Sequence, residues 1–151
     1  MFPNLKKFHK LSGTMKLMFL EAVFILAITK IAILILPLNR LTRSLSQIKD
    51  TGHSKRFSAE HDLQTAMAIK TAVARAAAHT PWKSACLVQS FTAQRMLKHR
   101  GISGLLHIGV MKETNISKNN FQAHAWIQCG SIIITGEPGH EDFRIISTFS
   151  W

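Results

Sequence analysis

The chain contains two cysteines, and the first of them, Cys86, lies where a reactive thiol is expected. The segment SACLVQSFTAQRMLKHRG has the apolar spacing of a helix, and Cys86 falls in its first turn. The thiolate is the nucleophilic form of cysteine, and a helix N-terminus stabilises it through its dipole and free N–H groups. The same N–H groups could hold an oxyanion during acyl transfer. A buried and inert cysteine is the structural alternative.

His124 is the candidate base for this thiol. It lies in AHAW on a predicted strand, where His124 and Trp126 point to one face while Ala123 and Ala125 point to the other. A hydrogen-bonded structural histidine is the alternative. His107, on the preceding predicted strand, is the second choice for the base. The other histidines lie in loops or on polar helix faces: His9, His53, His61, His79, His99 and His140.

A metal or nucleic-acid site is not indicated by the remaining motifs. The candidate ligands Cys86, His124, Cys129 and His140 lack the close paired spacing of structural zinc sites. The basic residues are scattered, and no Gly-rich phosphate loop or RNA-binding motif is present. We therefore expect no cofactor, no metal and no nucleic-acid partner. The pair Cys86 and His124 predicts a cysteine hydrolase that works through an acyl-enzyme.

Length and charge limit the architecture and the partners. A chain of 151 residues fits one domain with one core, and we predict a single domain over residues 1–151. Nineteen Lys and Arg against eight Asp and Glu give a net charge of +11, which favours an anionic partner such as a membrane surface or an acidic polypeptide. Two cysteines without a convincing signal peptide predict a reduced, cytoplasmic setting.

The most apolar stretch of the sequence runs from Met15 to Leu38. It is long enough to span a bilayer, but Glu21 and Lys30 interrupt it, and a charge near the centre of a span is costly. We predict a soluble core helix that Pro37 ends or kinks, with interfacial membrane contact through residues 15–38 as the alternative. The following LNRLTRSLSQI has leucines and an isoleucine at helical spacing and predicts a second, amphipathic helix.

The rest of the chain predicts two helices and then strands. Residues 49–60 are polar and predict a loop, Ser58 is placed to cap an Ala-rich helix that ends near His79, and Gly101 is placed to cap the helix of Cys86. LLHIGVM, FQAHAWIQ and SIIITG are rich in β-branched and aromatic residues, with Cys129 and Gly130 as a tight turn. The predicted class is α+β, with N-terminal helices in residues 1–50 and a core with the small antiparallel sheet in residues 58–151.

Read as one pattern, four blocks resemble a known family. Cys-Leu in PWKSACLVQSFTAQRMLKHRGI, Arg-Gly-Ile at the end of that segment, Ile-Gly-Val and Ala-His-Ala-Trp occur in the order found in the leader peptidase of lasso-peptide biosynthesis. The apolar helix followed by LPLNRLTRSL is similar to the N-terminal part of the stand-alone form of that peptidase. The resemblance implies a transglutaminase-like or papain-like core of bacterial type, in which Cys86 attacks the scissile carbonyl and His124 moves the proton.

The third catalytic position departs from the family. The resemblance implies an Asp about a dozen residues after the His, but SIIITGEPG contains none. Glu137 is the nearest carboxylate and is our candidate third member, with Asp142 as the alternative. Thr135 or a backbone carbonyl could also orient the imidazole. Trp82, four residues before Cys86, is a candidate oxyanion donor, and packing at the helix start is its structural alternative.

The resemblance also implies partners and a reaction. The partners are a lasso precursor peptide, a separate leader-recognition protein and an ATP-dependent cyclase, and the reaction is removal of the leader from the ribosomally made precursor. Acyl transfer to an amine, as in transglutaminases, uses the same acyl-enzyme and is one alternative. A non-catalytic, membrane-associated binding module is the other.

Overall fold

Helices precede a five-stranded sheet in the computed structural model, which describes residues 12–43, 45–48, 60–111 and 122–151. The helices are α1 (Gly13–Ile35), α2 (Leu38–Leu41), α3 (Glu60–His79) and α4 (Cys86–His99). The strands are β1 (Ser46–Ile48), β2 (Leu105–Met111), β3 (Ala123–Cys129), β4 (Ile132–Thr135) and β5 (Phe143–Ser150), and a 3-10 turn (His140–Asp142) precedes β5. The predicted α+β class is confirmed.

The apolar N-terminal stretch forms α1, which packs through one face on α3 and α4. The Ser12 hydroxyl caps its first turn, and the helix ends before Pro37, as predicted, because a residue that precedes proline avoids the helical conformation. Glu21 forms a bidentate ion pair with Arg100, at 2.6 and 3.0 Å, and this hydrogen bonding raises the pKa of Arg100. Helix α1 is long and apolar enough to cross a membrane. The core helix of a soluble protein can have the same length and composition.

The prediction of a second amphipathic helix is wrong beyond the first turn. Helix α2 covers only Leu38–Leu41, and the chain then forms β1. The Thr42 hydroxyl donates to the Leu38 carbonyl, and the Leu45 N–H donates to the Thr42 carbonyl, which turns the chain out of the helix. The backbone of β1 then pairs antiparallel with β5, and these hydrogen bonds outweigh the local apolar spacing.

The two long helices of the core end where the sequence predicted. Helix α3 ends at His79, while the proposed cap Ser58 and all but the last residue of the predicted loop 49–60 lie outside the described residues. Helix α4 ends with Gly101 in the left-handed conformation, at φ +70°. The N–H of Ile102 donates to the Leu97 carbonyl and the N–H of Gly101 to the Lys98 carbonyl, which is a Schellman motif.

The sheet is antiparallel throughout, in the order β1-β5-β2-β3-β4. Strands β2, β3 and β4 follow the predicted segments, but Cys129 ends β3, so the tight turn lies at Gly130 and Ser131 rather than at Cys129 and Gly130. Strand β5, which the sequence analysis did not predict, lies between β1 and β2. It therefore joins the N-terminal part of the chain to the predicted sheet.

The main core lies between the helices and one face of the sheet. Leu26, Ile69 and Leu97 contribute from α1, α3 and α4, and Leu106 and Ile127 contribute from β2 and β3. On β3, Ala125 and Ile127 face this core, so that the alternating residues His124 and Trp126 lie on the opposite face. Position 124 is thus at the start of a strand whose other face is fixed against α4.

Candidate active site

Cys86 is the first residue of α4. The first-turn N–H groups of a helix have no partner within the helix. Ala85 precedes Cys86 in an extended conformation and supplies no side-chain cap for these groups. The side chain of Gln89 reaches back and donates to the Ser84 carbonyl at 2.8 Å, which holds the chain where it enters the helix. The Cys86 side chain is partly exposed and its thiol is free. The residue therefore has the setting expected of a nucleophilic cysteine.

Cys129 has the opposite environment. It is fully buried at the end of β3, and burial raises the pKa of its thiol to about 12. A thiol of this kind stays protonated and is shielded from reagents. The two cysteines are therefore chemically distinct, and Cys86 is the accessible one.

His124 is held by a backbone carbonyl. Its Nε2 lies 2.8 Å from the carbonyl oxygen of Gly136, and its ring contacts Trp126 and Phe143, with ring centres 5.9 and 5.0 Å away. A carbonyl oxygen can only accept a hydrogen bond, so Nε2 carries the proton in this contact. The neutral imidazole then has its lone pair on Nδ1. Nδ1 is thus the atom able to take a proton.

Gly136 stands twelve residues after His124, where the resemblance placed an Asp. Its backbone has φ +72°, and a Cβ at this position would lie 2.4 Å from the Ala125 carbonyl oxygen and 2.8 Å from the Trp126 Cβ. Only glycine allows this close approach between the chain after β4 and the strand of His124. The backbone itself thus reaches the imidazole without a carboxylate.

The two carboxylates named from the sequence lie elsewhere. Glu137 is exposed and forms an ion pair with Lys70 on α3, and the hydrogen bond from Lys70 lowers the pKa of Glu137. Asp142 is exposed in the 3-10 turn before β5. Within the described residues, neither carboxylate hydrogen bonds to His124. The structure therefore brings neighbouring Gly136, and not the Glu137 side chain, to the imidazole.

Ser90, which the sequence analysis did not single out, joins the helix of Cys86 to the strands of His124 and Gly136. Its buried hydroxyl donates to the Ala125 carbonyl at 3.2 Å and lies 3.0 Å from the Thr135 hydroxyl, which therefore donates to it. These partners are the chain neighbours of His124 and Gly136. Sequence offered one weak signal, a serine one turn after Cys86 on an otherwise apolar helix face.

The structure thus brings the supports of Cys86 and His124 together rather than the reactive atoms. Ser90 is one helical turn, about 6 Å along the axis, from Cys86. Among the described residues, no hydrogen bond joins the Cys86 thiol to the His124 ring. Helix α4 packs on β3, and Ser90 in its second turn contacts the Ala125 carbonyl.

Trp82 lies in the segment that leads into α4. Its indole Nε1 is buried and has no hydrogen-bond partner among the described residues. Lys30 of α1 holds this segment: its Nζ donates to the Lys83 carbonyl at 3.4 Å and lies 5.9 Å from the centre of the Trp82 ring. A buried N–H without an acceptor is costly, so the environment of Trp82 Nε1 calls for an explanation beyond packing.

His107, the second choice for the base, is built into the sheet. It is 4% exposed, its Nδ1 lies 3.0 Å from the Thr148 hydroxyl, and its ring contacts Trp126 with ring centres 5.4 Å apart. Burial lowers the pKa of His107. The contacts with Thr148 and Trp126 make His107 a packing residue beneath Trp126.

In the described part of the chain, no group of three His, Cys, Asp or Glu side chains could hold a metal ion.

Comparison with known proteins gives one match. The family model of the transglutaminase-like superfamily matches residues 32–148, which include Cys86, Ser90, His124 and Gly136. This superfamily includes cysteine peptidases and acyl transferases. Comparisons with curated proteins and with solved structures gave no match. Since the matched region covers most of the chain and contains the whole candidate site, the chain belongs to the transglutaminase-like superfamily.

Proposed function

We propose that the protein is a cysteine peptidase that removes the leader from a ribosomally synthesised lasso-peptide precursor, with Cys86 as nucleophile and His124 as base. The observation that carries the enzymatic part is the Ser90 hydroxyl, which links α4 one turn after Cys86 to Ala125 and Thr135, the chain neighbours of His124 and Gly136. The family match supports acyl chemistry on a cysteine. The choice of a lasso precursor rests on the sequence resemblance.

The reaction follows from the tautomer that Gly136 selects. His124 Nδ1 takes the proton of the Cys86 thiol, and the thiolate attacks the scissile carbonyl. The imidazolium then gives this proton to the leaving amine, and the C–N bond breaks to leave an acyl-enzyme. Water, deprotonated by the same nitrogen, releases the leader acid and restores the thiol. The Gly136 carbonyl keeps the ring oriented through these steps and stabilises the imidazolium.

The negative oxygen of the tetrahedral intermediate has donors on one side of Cys86. The first-turn N–H groups of α4 are free of helix hydrogen bonds, and the helix dipole adds positive potential there. The indole N–H of Trp82, which has no partner among the described residues, is proposed as a second donor in the segment before the helix. We therefore assign oxyanion stabilisation to the helix terminus, with Trp82 as an auxiliary donor.

Substrate recognition is proposed to involve partners. A separate recognition protein would present the leader, and an ATP-dependent cyclase would close the ring of the released core peptide. The net charge of +11 supports docking of an acidic leader or an acidic partner surface. Under this proposal, kcat/KM for the presented precursor falls as salt screens the charges.

Acyl transfer to an amine is the second candidate, because the superfamily includes acyl transferases. It uses the same thiol, base and acyl-enzyme and differs only in the group that attacks the acyl-enzyme. Mass spectrometry of the product separates the two reactions. Hydrolysis adds the mass of water. Transfer adds the mass of the amine and removes the mass of the group that leaves, which is either ammonia or a peptide.

The central experiment follows leader release by mass spectrometry from precursor, recognition protein and this chain. Cys86→Ala and His124→Ala should each lower cleavage by several orders of magnitude, while Cys129→Ala, at the buried thiol, should retain activity per folded molecule. Circular dichroism confirms that each variant is folded. Undiminished cleavage by Cys86→Ala contradicts the proposal.

A companion experiment addresses the third member. If the Gly136 carbonyl orients His124, then Glu137→Gln and Asp142→Asn should both keep kcat within a few-fold of the parent. The original prediction of Glu137 as third member requires a loss of orders of magnitude in Glu137→Gln alone. Because Glu137 also pairs with Lys70, Lys70→Met is the matched control for loss of that ion pair.

A further inference from the structure

Helix α1 has two apolar faces, and only one of them is covered by the domain. Ala22, Leu26 and Thr29 are buried against the core. Seven of the eleven large apolar side chains exposed in the described residues also lie on α1: Leu17, Leu20, Phe24, Ile28, Ile31, Leu34 and Ile35. We call these seven side chains the outer stripe.

The outer stripe is continuous and opposite to the buried face. At about 100° per residue, its members fall within roughly a third of the helix circumference, over a helix about 34 Å long. Phe24, Ile31 and Leu34 are 67%, 57% and 77% exposed. An exposed apolar surface of this extent marks an interaction site. The family match begins at residue 32, so most of the stripe lies outside the matched domain.

The charge around the stripe identifies the partner. In the described residues 12–43, four side chains are basic, Lys16, Lys30, Arg40 and Arg43, and Glu21 is the single acidic one. Glu21 is neutralised by Arg100, and Arg40 and Arg43 are exposed just after α1. An apolar stripe flanked by basic residues fits the acyl and headgroup regions of an anionic bilayer.

We propose that α1 lies in the plane of an anionic membrane surface, with the outer stripe among the acyl chains and the catalytic domain on its water side. A spanning orientation would require α1 to leave the domain. That would break the Glu21–Arg100 ion pair and the contact of Lys30 with the segment before Cys86. The in-plane orientation keeps both contacts.

The same contacts bring the catalytic centre close to the membrane. Lys30 lies at the edge of the stripe and holds the Lys83 carbonyl, three residues before Cys86. A helix fixed on the bilayer therefore fixes the segment that carries Trp82. The outer stripe takes no part in the proposed cleavage reaction. Failure of vesicle binding and failure of peptide cleavage are therefore distinguishable.

The test is flotation of the full chain with two kinds of vesicle, mixed phosphatidylglycerol and phosphatidylcholine, and phosphatidylcholine alone. The expected result is binding to the anionic vesicles, at least about tenfold weaker binding to the neutral ones, and release by carbonate extraction. Equal binding to both kinds overturns the anionic partner. Retention after carbonate extraction overturns the in-plane orientation.

Ile31→Asp tests the stripe, and Ile146→Asp is its matched control, because the two isoleucines are 57% and 56% exposed. Ile31→Asp should weaken anionic-vesicle binding at least about tenfold, and Ile146→Asp should leave it within about twofold. An equal effect of both changes, or no effect of Ile31→Asp, overturns the proposal. Circular dichroism confirms folding.

Charge reversal gives a second measurement that leaves the helix intact. Arg40→Glu with Arg43→Glu should weaken binding to anionic vesicles at least about fivefold and leave neutral-vesicle binding unchanged. Analytical ultracentrifugation tests the alternative that a second copy of the chain packs on the outer stripe. A dimer that Ile31→Asp dissociates, together with no vesicle binding by the parent, overturns the membrane assignment.

Discussion

At the scale of residues, the candidate site replaces a carboxylate with a backbone carbonyl. A catalytic Asp both fixes the imidazole tautomer and stabilises the imidazolium by its charge. The Gly136 carbonyl fixes the tautomer equally well, because it can only accept the Nε2 proton, but it supplies a dipole rather than a full charge. The arrangement therefore orients His124, and under the proposed mechanism it gives weaker stabilisation of the imidazolium than an Asp would.

Replacement of Gly136 tests this arrangement. In Gly136→Ala the new Cβ would clash with the Ala125 carbonyl oxygen. The backbone at residue 136 must therefore shift, and its own carbonyl, which contacts His124, shifts with it. We expect kcat to fall roughly a hundredfold, since a displacement of about 1 Å has that effect on catalytic geometry. Gly139→Ala is the control, because φ there is +75° and the nearest atom to a Cβ is 3.9 Å away. Equal losses in both variants would attribute the effect to backbone strain alone.

The two thiols should differ in their reaction with iodoacetamide. Cys86 is partly exposed at a helix N-terminus, whereas burial raises the pKa of Cys129 to about 12. We expect one equivalent of label at neutral pH, located on Cys86 by peptide mapping, and a second only after denaturation. Cys86→Ala should remove the rapid label and Cys129→Ala should not. Rapid labelling of Cys129 in the folded protein would contradict the assignment.

At the scale of elements, Ser90 holds α4 against the β3–β4 hairpin, and the proposed mechanism makes this contact important for the geometry of the site. Ser90→Ala removes the hydroxyl that joins Ala125 and Thr135, and it leaves buried polar groups without a partner, at a cost of about 1–3 kcal/mol in the free energy of unfolding. We expect kcat to fall roughly tenfold or more at temperatures where the variant is folded, with KM little changed, because Cys86 shifts relative to His124.

Thr92→Val is the matched control for Ser90→Ala. Thr92 is equally buried on α4, but its hydroxyl donates to the Val88 carbonyl of the same helix at 2.8 Å. Loss of this hydroxyl removes a buried hydrogen bond without touching β3 or β4. Stopped-flow or mass-spectrometric kinetics should therefore give an unchanged kcat for Thr92→Val. A similar kcat loss in both variants would show that α4 stability, and not its contact with the strands, limits turnover.

The elements that the sequence predicted correctly are those with local signals. Pro37 and Gly101 mark the ends of α1 and α4, and helical periodicity marks the helices between them. Strand β1 was missed because its three residues continue a helical apolar spacing and gain their hydrogen bonds only from β5. Strand β5 has exposed Ile145 and Ile146 side by side instead of alternating, so its identity depends on its neighbours in the sheet.

The candidate site divides in the same way. Cys86 and His124 could be named because a helix start and an AHAW strand are local features. The acceptor at Gly136 could not be specified, because a sequence shows side chains while the contact is made by a backbone carbonyl. Ser90 could not be recognised because its partners are 35 and 45 residues away and meet it only through the packing of α4 on the sheet.

At the scale of the whole molecule, the fold combines a helix layer with two polar contacts that cross it. The Arg100–Glu21 ion pair joins α4 to α1, and the Lys70–Glu137 pair joins α3 to the segment after β4. Removing one partner of the part-buried Arg100 pair leaves a charge with little compensation, while the exposed Lys70 pair contributes little. The ion pair with Glu21 therefore adds to the packing of Ala22 and Leu26, which holds α1 on the domain.

The opposite face of the sheet makes stability depend on pH through His107. Burial lowers the pKa of His107 in the folded protein below the ordinary value of 6.5, so the unfolded chain binds the proton first as the pH falls. The stabilisation is fully present above about pH 6.5 and is lost as the pH falls towards the folded pKa, by up to about 1.4 kcal/mol per pH unit.

His107→Gln isolates this contribution, since it removes the titrating ring and keeps a polar side chain near Thr148. Urea unfolding from about pH 8 to about pH 5 should show a smaller loss of the free energy of unfolding in the variant than in the parent. The other histidines are the same in both proteins, so their contributions cancel in the difference. Parallel curves for the parent and His107→Gln would show that burial of His107 does not limit stability in acid.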